Sequence, residues 1–100
     1  MDKPTTSPIS TQKHGDVLMI LSNNPPVNAL GHAVRQGLVA AIDEAERDDS
    51  VKAVVIACEG QTFFAGADVS EFGTPKAFEA PVLPSVVDTI ENCSKPVVAA

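Results

Sequence analysis

Residues Phe63–Phe72 read FFAGADVSEF. Two aromatic rings give way to three of the smallest residues, Ala65-Gly66-Ala67, and then to an acid, Asp68. Small side chains let main-chain N–H groups come close to a bound molecule. If Val69–Phe72 opens a helical turn, its free N-terminal amides face the same point and favour negative charge. Asp68 can cap that turn, and Phe63 and Phe64 can anchor the loop in the core. The chemistry such a loop could do is stabilisation of a developing oxyanion by preorganised N–H donors. A plainer reading stands beside it. Gly66 supplies a positive φ in a tight turn, and Asp68 is an ordinary cap.

Other reactive side chains offer less. Cys58 and Cys93 lie far apart, without CxxC or His spacing, and read as two reduced, buried thiols. His14 and His32 stand alone and read as surface residues, and no metal site is expected. Glu59, Glu71, Glu79 and Glu91 show no spacing that pairs any two of them, and each reads as a solvated surface acid.

Elements must exist to hold the loop. It follows Val51–Ala57 (VKAVVIA), whose near-continuous apolar content predicts a strand covered on both faces, as in a parallel sheet. An earlier apolar run, Asp16–Ser22, stops at Asn23-Asn24-Pro25-Pro26 and reads as a buried strand. Ile9–Lys13 can pair with it across His14-Gly15. Between the two runs the pattern turns helical from Leu30. Val34, Leu38, Ala41, Ile42 and Ala45 share one face, and Arg35, Asp43, Glu44 and Glu46 take the other. Asn28 is the expected cap, and Asp48-Asp49-Ser50 ends the helix near Arg47, since acids there oppose its dipole. The result is one βαβ unit, right-handed by rule, whose ligands belong outside the carboxyl ends of the strands.

Downstream, Pro75, Pro81 and Pro84 limit Lys76–Ala80 to a short turn of helix. Ser85–Cys93 reads as a second helix with Val86, Val87, Ile90 and Cys93 inward. Lys95-Pro96 stops it, and Val97–Ala100 begins a third buried strand. Val54, Val55, Ile56, Leu38 and Ile42 are the expected core. The last strand breaks off in mid-run. That predicts part of a longer domain, or completion of the sheet by association with another chain.

Composition sets outer bounds. The chain has 100 residues, 44% hydrophobic and only 4% aromatic, so its core must be aliphatic. A net charge of −6 argues against nucleic acid and anionic membranes. An anionic small molecule is still compatible, because a few local donors can hold one against a negative global field. The polar N-terminus lacks a secretory or mitochondrial signal. No apolar run approaches the roughly 20 residues of a membrane span. The cytoplasm is the default location.

Four stretches occur in order at characteristic intervals: NNPPVNAL (Asn23–Leu30), DDSVKAVVIACEG (Asp48–Gly60), FFAGADVSEF and KPVVAA (Lys95–Ala100). The ordered set resembles the N-terminal part of the crotonase superfamily, the enoyl-CoA hydratase/isomerase fold, from about Gly15 to the end. NPPVNAL, and EFGTP after AGAD, look most like the hydratase/isomerase domain of multifunctional β-oxidation enzymes, which carry a 3-hydroxyacyl-CoA dehydrogenase part downstream.

The resemblance implies an α/β fold, the N-terminal portion of a crotonase-type spiral of ββα units that is usually trimeric or part of a larger assembly. Residues 1–14 are then a flexible arm with a possible first strand, and residues 15–100 the N-terminal part of the enzyme domain. The ligand implied is an acyl-CoA thioester, with coenzyme A as part of the substrate and no covalently bound cofactor. By the same resemblance, Ala67 matches the position whose backbone N–H forms one oxyanion donor. Ala65, Gly66, Asp68, Val69 and Ser70 match the loop lining the CoA groove, and Pro26, Val27 and Ala29 match its opposite wall. Some relatives carry Lys where this chain has Ser70, so phosphate contacts would have to come from elsewhere, such as Lys76. The second oxyanion donor and the acid/base glutamates of hydratases would lie after KPVVAA, so these residues alone are expected to be inactive. The competing expectation, of a different class, is a stand-alone acidic partner-binding module of STAS-like α/β type.

Overall fold

Alternation is the first thing the strands show. In Val17–Ser22 (β2), Leu18, Ile20 and Ser22 are buried, while Val17, Met19 and Leu21 are half-buried. In Ala53–Cys58 (β3), Val54 and Ile56 are buried, and Ala53, Val55 and Ala57 are half-buried. The expectation of a strand covered on both faces therefore holds for one face only. Val55, expected in the core, lies on the other. The computed structural model describes residues 8–24, 28–60, 63, 64, 66, 71 and 73–100.

Ile9–His14 (β1) pairs antiparallel with β2, from Ile9 opposite Ser22 to His14 opposite Val17. The turn between them is Gly15-Asp16. Gly15 has φ +64°, a left-handed conformation that glycine adopts without steric cost. β2 runs parallel to β3, and β3 parallel to Val97–Ala99 (β4), so the sheet order is β1-β2-β3-β4. Parallel neighbours require crossovers. His32–Arg47 (α1) crosses from β2 to β3. A 3₁₀ turn at Pro75–Phe78 and the helix Leu83–Glu91 (α2) cross from β3 to β4.

α1 packs on β1 and β2 and against α2. The predicted stripe of Val34, Leu38, Ala41, Ile42 and Ala45 meets Leu18, Ile20, Val54, Ile56, Val51 and Val86 in one core. Arg35 was expected on the solvent face, but it is 5% exposed and belongs to the buried side. α2 begins with Pro84 in its first turn, where the missing N–H costs nothing. Val86 faces the core, with Ile90 and Cys93 packed against its margin. Val87, expected inward, is exposed.

The C-terminal end of α1 is tied to the segment before β4. Lys95 Nζ donates to the carbonyls of Ala45 and Asp48, a cation where the helix dipole favours one. Glu46 accepts the Ser94 amide at 2.7 Å and the Ser94 hydroxyl at 2.5 Å. These two bonds hold the Glu46 carboxyl below the ordinary carboxylate range. Cys58 and Cys93 are free thiols.

Candidate functional site at the carboxyl ends of the strands

Ser22 and Cys58 are register partners at the carboxyl ends of β2 and β3. Two segments leave from this point, 23–31 toward α1 and 59–82 toward α2. A series of hydrogen bonds closes them onto each other. Glu59 N–H donates to Ser22 O at 2.8 Å, and Asn28 Nδ2 donates to Glu59 O at 3.0 Å. Further out, Leu30 N–H donates to Gly66 O at 2.7 Å, and His32 N–H to the Glu71 carboxylate at 3.0 and 3.2 Å.

Asn28 is the inner hub. It is 2% exposed and sits at φ +54°, a left-handed conformation for which Asn is enriched among non-glycine residues. Its Oδ1 accepts the Asn24 N–H at 2.9 Å and the Ser22 hydroxyl at 3.3 Å. The expected role for Asn28 was to cap α1. The N-cap is instead Gly31, which offers no side chain, and the helix starts at His32. The acceptor at this helix start is Glu71, from the other segment. Glu71 was expected to be a solvated acid, but its side chain is 15% exposed, while Glu59 and Glu91 are exposed as expected. His32 is partly covered, with Nε2 3.0 Å from Ala80 O and Nδ1 3.6 Å from Glu79.

Of the predicted site residues, the structure places Gly66 and Ala29, and the Leu30–Gly66 bond brings their two stretches side by side. Ala29 O accepts Asn24 Nδ2 at 2.9 Å. Gly66 has φ +102°, and a Cβ built there would meet nothing within 4 Å. The glycine is thus required by its backbone conformation rather than by a crowded neighbour. Pro26, Val27, Ala65, Ala67, Asp68, Val69 and Ser70 lie outside the described residues, as does the side chain of Lys76. Phe64 packs against the core margin, as an anchor should. Phe63 is 43% exposed and stacks edge-on against Phe64, with centroids 5.0 Å apart. One ring of the pair anchors the loop and the other does not.

The described side chains at the site offer little reactive chemistry. Burial pushes the Cys58 thiol above its ordinary range, the opposite of what an activated nucleophile needs. Among the described residues, no three His, Cys, Asp or Glu side chains cluster as metal ligands would. Sequence reasoning missed Asn28 as a hub and the pairing of buried Arg35 with half-buried Glu71. The Arg35 signal was available, since position 35 falls on the ridge through Leu38 and Ile42 at helical spacing.

The family profile described as Enoyl-CoA hydratase/isomerase matches residues 12–100. The peroxisomal bifunctional enzyme of Danio rerio is 45% identical over 84 residues, covering 84% of this chain and 11% of that protein. Among solved structures, DspI of Pseudomonas aeruginosa superposes with a TM-score of 0.84 at 27% identity, over 98% of this chain and 42% of that one. An enoyl-CoA hydratase/carnithine racemase from Magnetospirillum magneticum does so with a TM-score of 0.83 at 29% identity, over 95% and 39% of the two chains. The chain therefore spans about a tenth of the curated relative and about two-fifths of these structures.

Proposed function

The chain belongs to the enoyl-CoA hydratase/isomerase family, a family of enzymes, and we propose that it supplies one oxyanion donor and part of the CoA groove for hydration or isomerisation of an enoyl-CoA in fatty-acid β-oxidation. The observation that carries this reading is the Leu30 N–H to Gly66 O bond. It joins the two stretches assigned to opposite walls of the groove, at the carboxyl ends of parallel strands, where α/β sheets bind ligands.

The mechanism follows from charge. Addition of water at the β-carbon of a 2-enoyl thioester, or removal of an α-proton from a 3-enoyl thioester, gives an enolate. N–H donors that meet the enolate oxygen better than the ground-state carbonyl lower the barrier. The Ala67 amide is the proposed donor, and one such donor is typically worth about 3 kcal/mol. Ala65, Gly66, Asp68, Val69 and Ser70 line the CoA side, with Pro26, Val27 and Ala29 opposite. Because the donor is main chain, Ala67→Gly leaves it in place, whereas a bulky side chain at position 65 or 67 crowds the thioester. None of these residues is proposed as an acid/base group or as the second donor, so turnover by them alone is expected to be nil.

Titration of the chain with crotonyl-CoA, followed at backbone amides, tests the proposal. Perturbation confined to residues 29–30 and 65–70 supports it, and no perturbation anywhere sinks it. Hydratase turnover by the chain alone would overturn the expectation of none. No observation favours the partner-binding module. No described helix is long and apolar enough to cross a membrane. The proposed location is the cytoplasm, against the peroxisome named for the Danio rerio relative. Cell fractionation separates the two.

A further inference from the structure

We infer that Arg35 and Glu71 are positioning residues for the acyl-CoA loop: they tie residues 71 and 79–81 to residues 30–35 at the start of α1, beside the Leu30–Gly66 bond. The inference rests on the proposed function for its meaning, though not for its geometry.

A guanidinium that is 5% exposed must have its donors satisfied. Arg35 Nε donates to Pro81 O at 2.7 Å, Nη1 to Leu30 O at 3.0 Å and Nη2 to Glu79 O at 3.3 Å. One planar group thus binds the start of its own helix to the far end of the 59–82 segment. Glu71 stands between Arg35 and the helix start. Its Oε1 is 3.6 Å from Arg35 Nη1, and both its oxygens accept from His32 N–H. The positive end of α1 favours a carboxylate there. The main chain of Glu71 is fixed too, because its carbonyl accepts the Thr74 N–H at 3.0 Å and the Thr74 hydroxyl at 2.6 Å.

Gly66 is held by Leu30 N–H, and Glu71 by His32 N–H and Arg35. Gly66 and Glu71, which bracket residues 67–70 in the sequence, are thus both attached to residues 30–35. Arg35 spends its donors on the carbonyls of Leu30, Glu79 and Pro81. It acts by setting the separation of the two walls. Lysine would keep the charge but could not address three divergent carbonyls from one planar fork.

The test is amide hydrogen exchange on the full chain, comparing wild type with Arg35→Lys and Glu71→Gln. Exchange at Leu30 and His32 should rise about tenfold or more in both variants, while the core amides of Leu18 and Val54 change by less than about threefold. Uniform acceleration at all four amides would reduce the pair to a general stabiliser and overturn the inference. So would a lysine variant indistinguishable from wild type. Should Arg35→Lys not fold, Glu71→Gln at its partly exposed position decides alone. A parallel crotonyl-CoA titration separates the two claims. If wild type binds none, the proposed function fails, and the exchange pattern still decides whether the brace exists.

Discussion

Replacing Asn28 by alanine and, separately, by glycine should reverse the usual order of these two residues. At an ordinary position glycine is the worse, by roughly 0.5–1 kcal/mol. At φ +54° alanine carries a steric cost of about 1–2 kcal/mol that glycine does not. Both variants also lose the bonds to Asn24 N–H, the Ser22 hydroxyl and Glu59 O. Glu59 is exposed, so water can take over its carbonyl. Ser22 is fully buried. About 1 kcal/mol for each of the two less accessible partners gives roughly 2 kcal/mol shared by both variants. Asn28→Ala should therefore lose about 3–4 kcal/mol and Asn28→Gly about 2–3 kcal/mol, against a total of roughly 5–15 kcal/mol for a domain of this kind. Urea unfolding gives the difference directly from the two midpoints, provided the slopes agree. The reasoning is refuted if alanine is the more stable variant, or if alanine costs less than about 1 kcal/mol.

Three further outcomes are expected. Leu38 is 2% exposed, and Leu38→Ala should cost about 2–5 kcal/mol in the same unfolding measurement; a cost under about 1 kcal/mol would remove it from the core. The Glu46 carboxyl is a stronger acid folded than unfolded, because the Ser94 hydroxyl and amide bind its charged form. Its contribution is present at neutral pH and is lost as the pH falls through the lower part of the carboxylate range. Thermal unfolding from pH 7 downward should show this loss in wild type, with a shallower decline in Glu46→Gln, and parallel curves would contradict it. The raised Cys58 thiol should alkylate with iodoacetamide more slowly in the native chain than in urea at the same pH, whereas equal rates would mean that it is not shielded.

What the sequence could show divides along the range of the interactions. β2, β3 and the stripe of α1 were legible because short apolar runs bounded by turn residues and helical periodicity are local signals. Arg35 has the charge of a solvent-facing residue but the helical position of a core residue. Its partners, the carbonyls of Glu79 and Pro81, lie 44 and 46 residues away and leave no local trace. Asn28 carries the composition of a cap but works at a positive φ, held in part by Glu59, 31 residues on. Val87 shares helical spacing with Ile90, but it lies about 100° from Val86, the residue that faces the core, and is exposed. The candidate site was legible as two stretches in a characteristic order. That a main-chain bond from Leu30 to Gly66 joins them is a product of the fold.

The first turn of α1 is completed by a carboxylate 39 residues further along the chain. During translation, at about 5–20 residues per second, the first residue of the helix is therefore made roughly 2–8 s before its acceptor exists. Gly31 has no side chain to stand in, and a helix of 16 residues is marginal by itself in water. The start of the nascent helix should therefore stay frayed until Glu71 has been made and can reach it, so a chain ending before Glu71 should leave the His32 amide less protected than the 100-residue chain does.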